Sequence, residues 1–487
     1  MSYTRKVAYN TIIQIVGKVI TTVISLFLVA ALTRYLGVFG YGQYTTIFAF
    51  IQFFAVLADF GFFWFLVREI SKPEALQEKI FNNVLTLRSI LAAVVFALAF
   101  GVGFLIPQYH DLRIGIGIVA AAWFWQALNG TYVGIFQNRL RMDKAALTDV
   151  LGRLVILGIV LFQISQQASL NQILWSYFFG NLVNFLVSAW LGRVYLRFRP
   201  AFDFSYWEKI FTESSLIFIV SILGLIYFKI DTLMLSLLKT STDVGIYGPP
   251  YKVVEILILL PAIFMGNVFP VVTHYIYAKD PRLEDAFQKS FNFLLMAGVP
   301  IAVGILMIAN RIIMVVAGPE FTSASTIAPV WGLAATSSLA LQILVVAVAI
   351  SYISHLFGYL IIALGKQTKM IGPNLFLVIF NVGLNLVLIP RYSYIGAAVV
   401  TVLTEILVVF LYWRLMHRFS DLKIDVRILP KVFFSAIILG LVLFLAKNLS
   451  LWILLPLAVI VYFTALWLVK GISKEMILTI VKKSKEQ

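Results

Sequence analysis

The sequence predicts an all-α polytopic membrane protein of about 14 transmembrane helices, on three observations. The 487-residue chain is 61% hydrophobic and 12% charged, with a mean hydropathy of +0.96. Soluble chains are roughly 45–50% apolar and about 25% charged. The apolar residues fall into runs that mostly reach the ~20 residues one helical crossing needs, far beyond the ~9–11 of a barrel strand. The basic residues, finally, collect on alternate connections between those runs.

Taken in order, the runs are 10–32, 43–66, 84–106, 114–137, 150–165, 171–192, 212–238, 246–273, 290–317, 326–364, 370–390, 394–413, 428–446 and 450–469. Arg5 and Lys6 ahead of the first run resemble the start of a signal peptide. The run outlasts an h-region of about 7–15 residues and more runs follow, so it reads as an uncleaved first transmembrane helix. The fifth run is short. The tenth is too long for one straight helix, and Pro329 with Gly332 separates a re-entrant or interfacial piece from the helix proper. Pro261 and Pro300 interrupt the eighth and ninth runs, each removing a backbone donor.

With the N-terminus inside, the external connections carry only Arg34, Arg113, Lys239, Arg391 and Lys447. That asymmetry places both termini in the cytoplasm. It also accounts for most of the net charge of +16, so no nucleic-acid partner is needed. The chain has no cysteine, which excludes disulfides, thiolate metal sites and cysteine nucleophiles. No Walker A loop and no His-Glu-x-x-His occurs, so neither ATP hydrolysis nor zinc-protease chemistry is expected.

An internal repeat sets the expected architecture. Aligning Gly42 with Gly245 places Tyr44 on Tyr247, each on the external hairpin between an outgoing and a returning run. Six runs separate the copies, so both have the same orientation and the repeat is parallel. Two six-helix lobes around a central cavity follow, at 1–200 and 201–420, with two helices appended at 421–470 and a basic cytoplasmic tail at 471–487.

Several motifs stand in series: Arg34-Tyr35-Leu36-Gly37 with Gly42-x-Tyr44, Ala58-Asp59-Phe60-Gly61 leading to Arg68-Glu69, Asp231-Thr232-Leu233-Met234-Leu235 before Val244-Gly245-Ile246-Tyr247, and Ile395-Gly396-Ala397-Ala398. In type and order they resemble the polysaccharide/oligosaccharide flippase family of the multidrug/oligosaccharidyl-lipid/polysaccharide exporter superfamily, from the first run to about the twelfth. The resemblance implies alternating access and movement of a polyprenyl-(pyro)phosphate-linked oligosaccharide across the membrane. Polysaccharide polymerase and glycosyltransferases are then the expected protein partners. No cofactor is expected beyond coupling to Na⁺ or H⁺.

Charged residues inside the runs are the candidate site, because an intramembrane charge costs roughly 2.5–3.5 kcal/mol and needs a partner or water. Substrate or cavity candidates are Lys18, Arg88, Arg153, Lys252 and Arg311; ion-coupling or gate candidates are Asp59, Lys229, Asp231, Glu255 and Glu405. Estimated depths, about 12 Å for Lys18 and about 10 Å for Asp59, suggest that these two pair. Lys18 continues a polar stripe of Gln14, Thr21/Thr22 and Ser25 on one helical face. Lys252 and Glu255 are three apart and can pair, whereas Lys229 and Asp231, two apart, point to different sides. Depth matches Asp231 to Lys252 and Lys229 to Glu255, giving a neutral quartet that is a static tie, a gate or a direct ion or substrate site. Glu405 has no evident neighbour. Arg88 and Arg153 lie near cytoplasmic ends, where they snorkel or, facing a cavity, hold a pyrophosphate bidentately. Arg311 snorkels to the outer surface, and His355 reads as a packing residue.

Three other readings are open to the composition. An ion-coupled multidrug antiporter centres on buried carboxylates, whereas here bases match or outnumber acids inside the runs. A membrane polymerase or glycosyltransferase needs a long polar external loop, and none is present. A non-catalytic scaffold of a polysaccharide assembly complex fits the composition equally.

Overall fold

The computed structural model describes residues 3–72 and 76–471, with side chains from residue 10 onward. The basic tail at 471–487 falls almost wholly outside the described residues. The described chain is helical throughout, with one isolated bridge between Val330 and Leu333.

Fifteen α-helices follow one another. They are α1 (Tyr3–Asp59), α2 (Phe62–Ile70), α3 (Gln77–Leu105), α4 (Arg113–Asn138), α5 (Met142–Ser165), α6 (Leu170–Gly192), α7 (Phe204–Leu238), α8 (Ser241–Leu257), α9 (Leu259–Tyr277), α10 (Arg282–Val316), α11 (Glu320–Ser323), α12 (Ser337–Ala363), α13 (Ile371–Phe419), α14 (Leu429–Leu445) and α15 (Leu451–Leu468). Short 3₁₀ turns precede α4 and α13.

Apart from 326–336 and short turns, the apolar runs lie on helix, and among the described residues ten helical stretches are long and apolar enough to cross a membrane. Two of these exceed any single crossing. The 57 residues of α1 would extend about 85 Å if straight, against a hydrocarbon core of about 30 Å. The chain turns instead at Gly37, whose φ of 64° and ψ of −175° suit a residue without Cβ. Helix α13 turns at Ser393, with φ 48°, three residues after Pro390. Its arms fold back on each other, since a Cβ on Gly396 would sit 2.5 Å from the carbonyl oxygen of Leu388. The tenth run resolves as the sequence suggested: helix begins only at Ser337, and the piece before it carries the bridge and a turn at Trp331 and Gly332, both with positive φ.

The chain forms two compact units, Met1–Gly248 and Pro249–Gln487. In the first, α6 packs between α4 and α5, α1 lies against α5 and α3, and α7 lies on α1, α2 and α3. Its main apolar core joins Ile47, Phe50 and Ile51 of α1 to Phe96 of α3 and Ile116 of α4. The two copies of the hairpin motif meet inside this unit. A Cβ on Gly42 would overlap the carbonyl oxygen of Ser241, and one on Gly245 would overlap that of Val38. Each glycine thus stands over the carbonyl four residues before the other, so the aligned positions meet backbone on backbone.

In the second unit α12 packs against α13, α10 and α9, and α14 and α15 dock on α10. That docking buries Val432, Ala436, Leu439, Leu454 and Leu466 around Met296 and Ile308. The two prolines singled out in the sequence behave differently. Helix breaks at Ile258, three residues before Pro261, while α10 runs unbroken through Pro300. Pro261 has no N–H for the carbonyl of Leu257, and the Tyr352 hydroxyl donates to that carbonyl instead at 3.1 Å.

Candidate functional site

The first unit places two charged groups deep in its helical bundle. Asp59 ends α1, immediately before Phe60 and Gly61, whose φ values of 44° and 79° turn the chain into α2. Its carboxylate pairs with Arg88 of α3. Arg88 also donates to Thr131 Oγ1 at 3.3 Å, and its side chain is only 4% exposed. The guanidinium lies against Gly130, where an added Cβ would come within 3.1 Å of it. The expected Lys18–Asp59 pair therefore does not form. The depth estimate permits the pair, but the direction around the axis, which depth ignores, brings Arg88 to the carboxylate. Arg88 is equally not a snorkelling residue. Lys18 is exposed.

Helix α5 begins at Met142, eight residues ahead of the predicted run, so Arg153 stands about 16 Å along the helix but only three residues into its apolar part. Its Nη1 donates to Ser25 Oγ of α1 at 2.8 Å, and its Nε to Asp149 Oδ1, one turn back, at 3.3 Å. Ser25 passes its own proton to the carbonyl of Thr21 at 2.7 Å, which is how the polar stripe of α1 is used. Asp149 was missed by sequence reasoning because the fifth run was started one residue after it. The signal was present: Asp149 and Arg153 are four apart, the spacing of a helical ion pair. Tyr177 of α6, within electrostatic reach of Arg153, shares a hydroxyl hydrogen bond with Tyr44 at 2.6 Å, and Phe48 packs edge-on against it at 4.7 Å between centroids.

At the end of α2, Arg68 bridges Glu69 and Glu213, and Lys72 reaches Glu69 at 2.7 Å, tying α2 to the start of α7. Asp203 caps α7 by accepting from the Tyr206 N–H at 3.0 Å and pairs with Lys79 at 2.8 Å. The hydrogen bond from Lys79, then that from the backbone of Tyr206, holds its carboxyl below the usual aspartate range. Further along α7, Asp231 is buried and Lys229 only half so, in keeping with the different sides their spacing gives them.

The second unit holds the remaining candidates. Lys252 and Glu255 pair along α8 at 2.8 Å, as their spacing suggested. Glu405 is buried on the second arm of α13, where Ser354 of α12 donates to its Oε2 at 3.2 Å. Beside it, Asn381 donates to Thr404 Oγ1 at 3.1 Å, and Asn385 to Asn381 Oδ1 at 2.9 Å. One neighbour that sequence reading did not find for Glu405 is therefore a hydroxyl, contributed by a helix distant in sequence. Arg311 donates to the carbonyl of Leu449, tying α10 to the connection between α14 and α15. His355 donates from Nδ1 to the Ser351 carbonyl at 2.7 Å, a local helix bond. No cluster of three or more His, Asp and Glu able to hold a metal occurs among the described residues.

Long kinked helices in two units match solved transporters over most of the chain. The lipid II flippase MurJ, in an inward closed conformation, superposes with a TM-score of 0.72 at 16% identity, over 92% of this chain and 97% of its own. An inward-facing multidrug resistance MATE family transporter of the MOP superfamily gives 0.63 at 14% identity, over 81% and 95%. A MOP superfamily transporter from Pyrococcus furiosus gives 0.55 at 13%, over 85% and 96%. The fold is thus that of the MOP superfamily transporters. Residues 7–276 match the family described as polysaccharide biosynthesis protein, and the chain belongs to that family. A curated relative, the probable low-salt glycan biosynthesis flippase Agl15 of Haloferax volcanii, is 23% identical over 319 residues, 65% of this chain and 64% of that protein. The chain thus matches a little under two thirds of that relative's length.

Proposed function

We propose that this chain is a flippase that carries a polyprenyl-(pyro)phosphate-linked oligosaccharide across the plasma membrane for surface polysaccharide biosynthesis. The observation that carries the reading is the set of ionisable residues held inside apolar helices, Arg88, Asp231 and Glu405 among them, each buried. Such charges are costly in a membrane and by default mark a substrate or ion path. The family, the name of its Haloferax relative and the likeness to MurJ point the same way. Likeness to MATE transporters supports an ion-coupled multidrug antiporter as the second reading.

In the proposed cycle two six-helix lobes, 1–200 and 201–420, alternate in opening, with both termini cytoplasmic. Exposed Lys18 and the half-exposed Lys252 attract the phosphate head electrostatically, while the isoprenoid tail stays in lipid. Asp231 and Glu405, both buried, are the carboxylates proposed to couple transport to Na⁺ or H⁺. Polymerase and glycosyltransferases act as partners on either side of the step.

The test is polymer export in a complementation strain. Lys18→Ala and Lys252→Ala are each expected to lower export at unchanged protein level, and full export by both overturns the basic-path reading. Proteoliposomes with imposed Na⁺ or H⁺ gradients separate the two coupling ions. Transport of cationic drugs with none of glycolipid selects the antiporter.

A further inference from the structure

We infer that Arg153, Asp149, Ser25, Tyr44, Phe48 and Tyr177 form a saccharide subsite inside the first unit, separate from the position of the phosphate head. The inference rests on the flippase reading and assigns the sugar and the phosphate of the substrate to different residues.

Three observations carry it. The first is direction. On α5, Leu147, Leu154 and Leu161 are 50%, 48% and 50% exposed at seven-residue spacing, the stripe a lipid-facing side leaves. At 100° per residue, Asp149 and Arg153 stand about 100–140° round from that stripe, toward α1 and α6. Their exposure therefore opens into the bundle and not into lipid.

The second is charge. Arg153 and Asp149 together are neutral. A phosphate would gain one cation and meet one carboxylate, a poor exchange at low dielectric. A sugar hydroxyl both donates and accepts. It can donate to Asp149 Oδ2, which makes no hydrogen bond with Arg153, and accept from a guanidinium N–H. Ser25 and the Tyr44–Tyr177 hydroxyl pair add further groups of the same dual kind. The rings of Tyr44, Tyr177 and Phe48 lie within 6.0 Å of one another and give the apolar face of a sugar something to cover.

The third is register. Lys18 and Ser25 are seven apart on one face of α1, so the exposed cation sits about 10 Å along the helix from the neutral set. A phosphate at Lys18 leaves the attached glycan lying along α1 toward Arg153.

The experiment uses the full chain in lipid nanodiscs and two probes: polyprenyl pyrophosphate alone, and the same carrier bearing a neutral trisaccharide. Native mass spectrometry reads both affinities. The unaltered chain is expected to bind the glycosylated carrier about tenfold more tightly than the bare one. Ser25→Ala and Tyr177→Leu, which change no charge, are expected to erase that advantage while leaving the affinity for bare carrier unchanged. Tyr177→Phe, which keeps the ring, should retain most of it. No advantage in the unaltered chain, or an advantage that survives both variants, overturns the subsite. Failure to bind either lipid overturns the flippase reading itself, and so the two failures are distinct.

Discussion

Arg88 shows what one residue settles in this bundle. It is almost fully buried, and the Asp59 carboxylate it pairs with is 34% exposed, so the pair is sealed on the arginine side alone. Removing the carboxylate strands a charge, whereas removing both leaves an ordinary apolar contact. Asp59→Ala is therefore expected to cost about 3 kcal/mol, and the double variant Asp59→Ala/Arg88→Met distinctly less. Thermal unfolding in detergent across the double-mutant cycle measures both. Gly130→Ala should act in the same direction, because its methyl would press on the guanidinium. At this scale the sequence was legible in kind and not in pairing. It named Asp59, Arg88 and Arg153 as charges needing partners, but who meets whom depends on rotation about each axis. Periodicity within apolar runs leaves that rotation undefined, so Lys18 is given the wrong partner, while Asp149 lies one residue outside the fifth run.

Among the elements, the entry to α7 carries its own pH dependence. Asp203 caps the helix and its carboxyl is held below the usual range by Lys79. A lowered folded-state value means its stabilisation is present above the unfolded-state value of about 3.9 and is lost as pH falls through the folded one. Asp203→Asn should flatten that part of the melting profile below about pH 4 by lowering stability at neutral pH, and only slightly, since the pair is solvent-screened. Tyr352→Phe tests a second element. The Leu257 carbonyl freed by Pro261 would lose its donor, at an expected cost of about 1 kcal/mol without loss of fold. Both prolines were visible in the sequence. Only the structure separates the one that breaks a helix from the one that a helix absorbs, because the difference lies in the neighbours.

For the whole molecule, length and hydropathy made the helical class and the position of nearly every run readable from the sequence. The order of motifs made the family readable. What stayed hidden is where runs extend, as when α5 gains polar turns ahead of its apolar core, and where one long helix is two arms joined at Gly37 or Ser393. The proposed orientation has a direct test, since the native chain has no cysteine. A single cysteine at Lys239 should react with an impermeant thiol reagent in intact cells, and one at Lys279 only after lysis. The reverse pattern would invert the topology. The meeting of Gly42 with Ser241 and of Gly245 with Val38 has a thermodynamic consequence of its own. Neither glycine contributes a side chain, so neither has a rotamer to freeze when the turns close or to recover when they part. The contact can be made and unmade at almost no side-chain entropy, and its strength comes from shape alone.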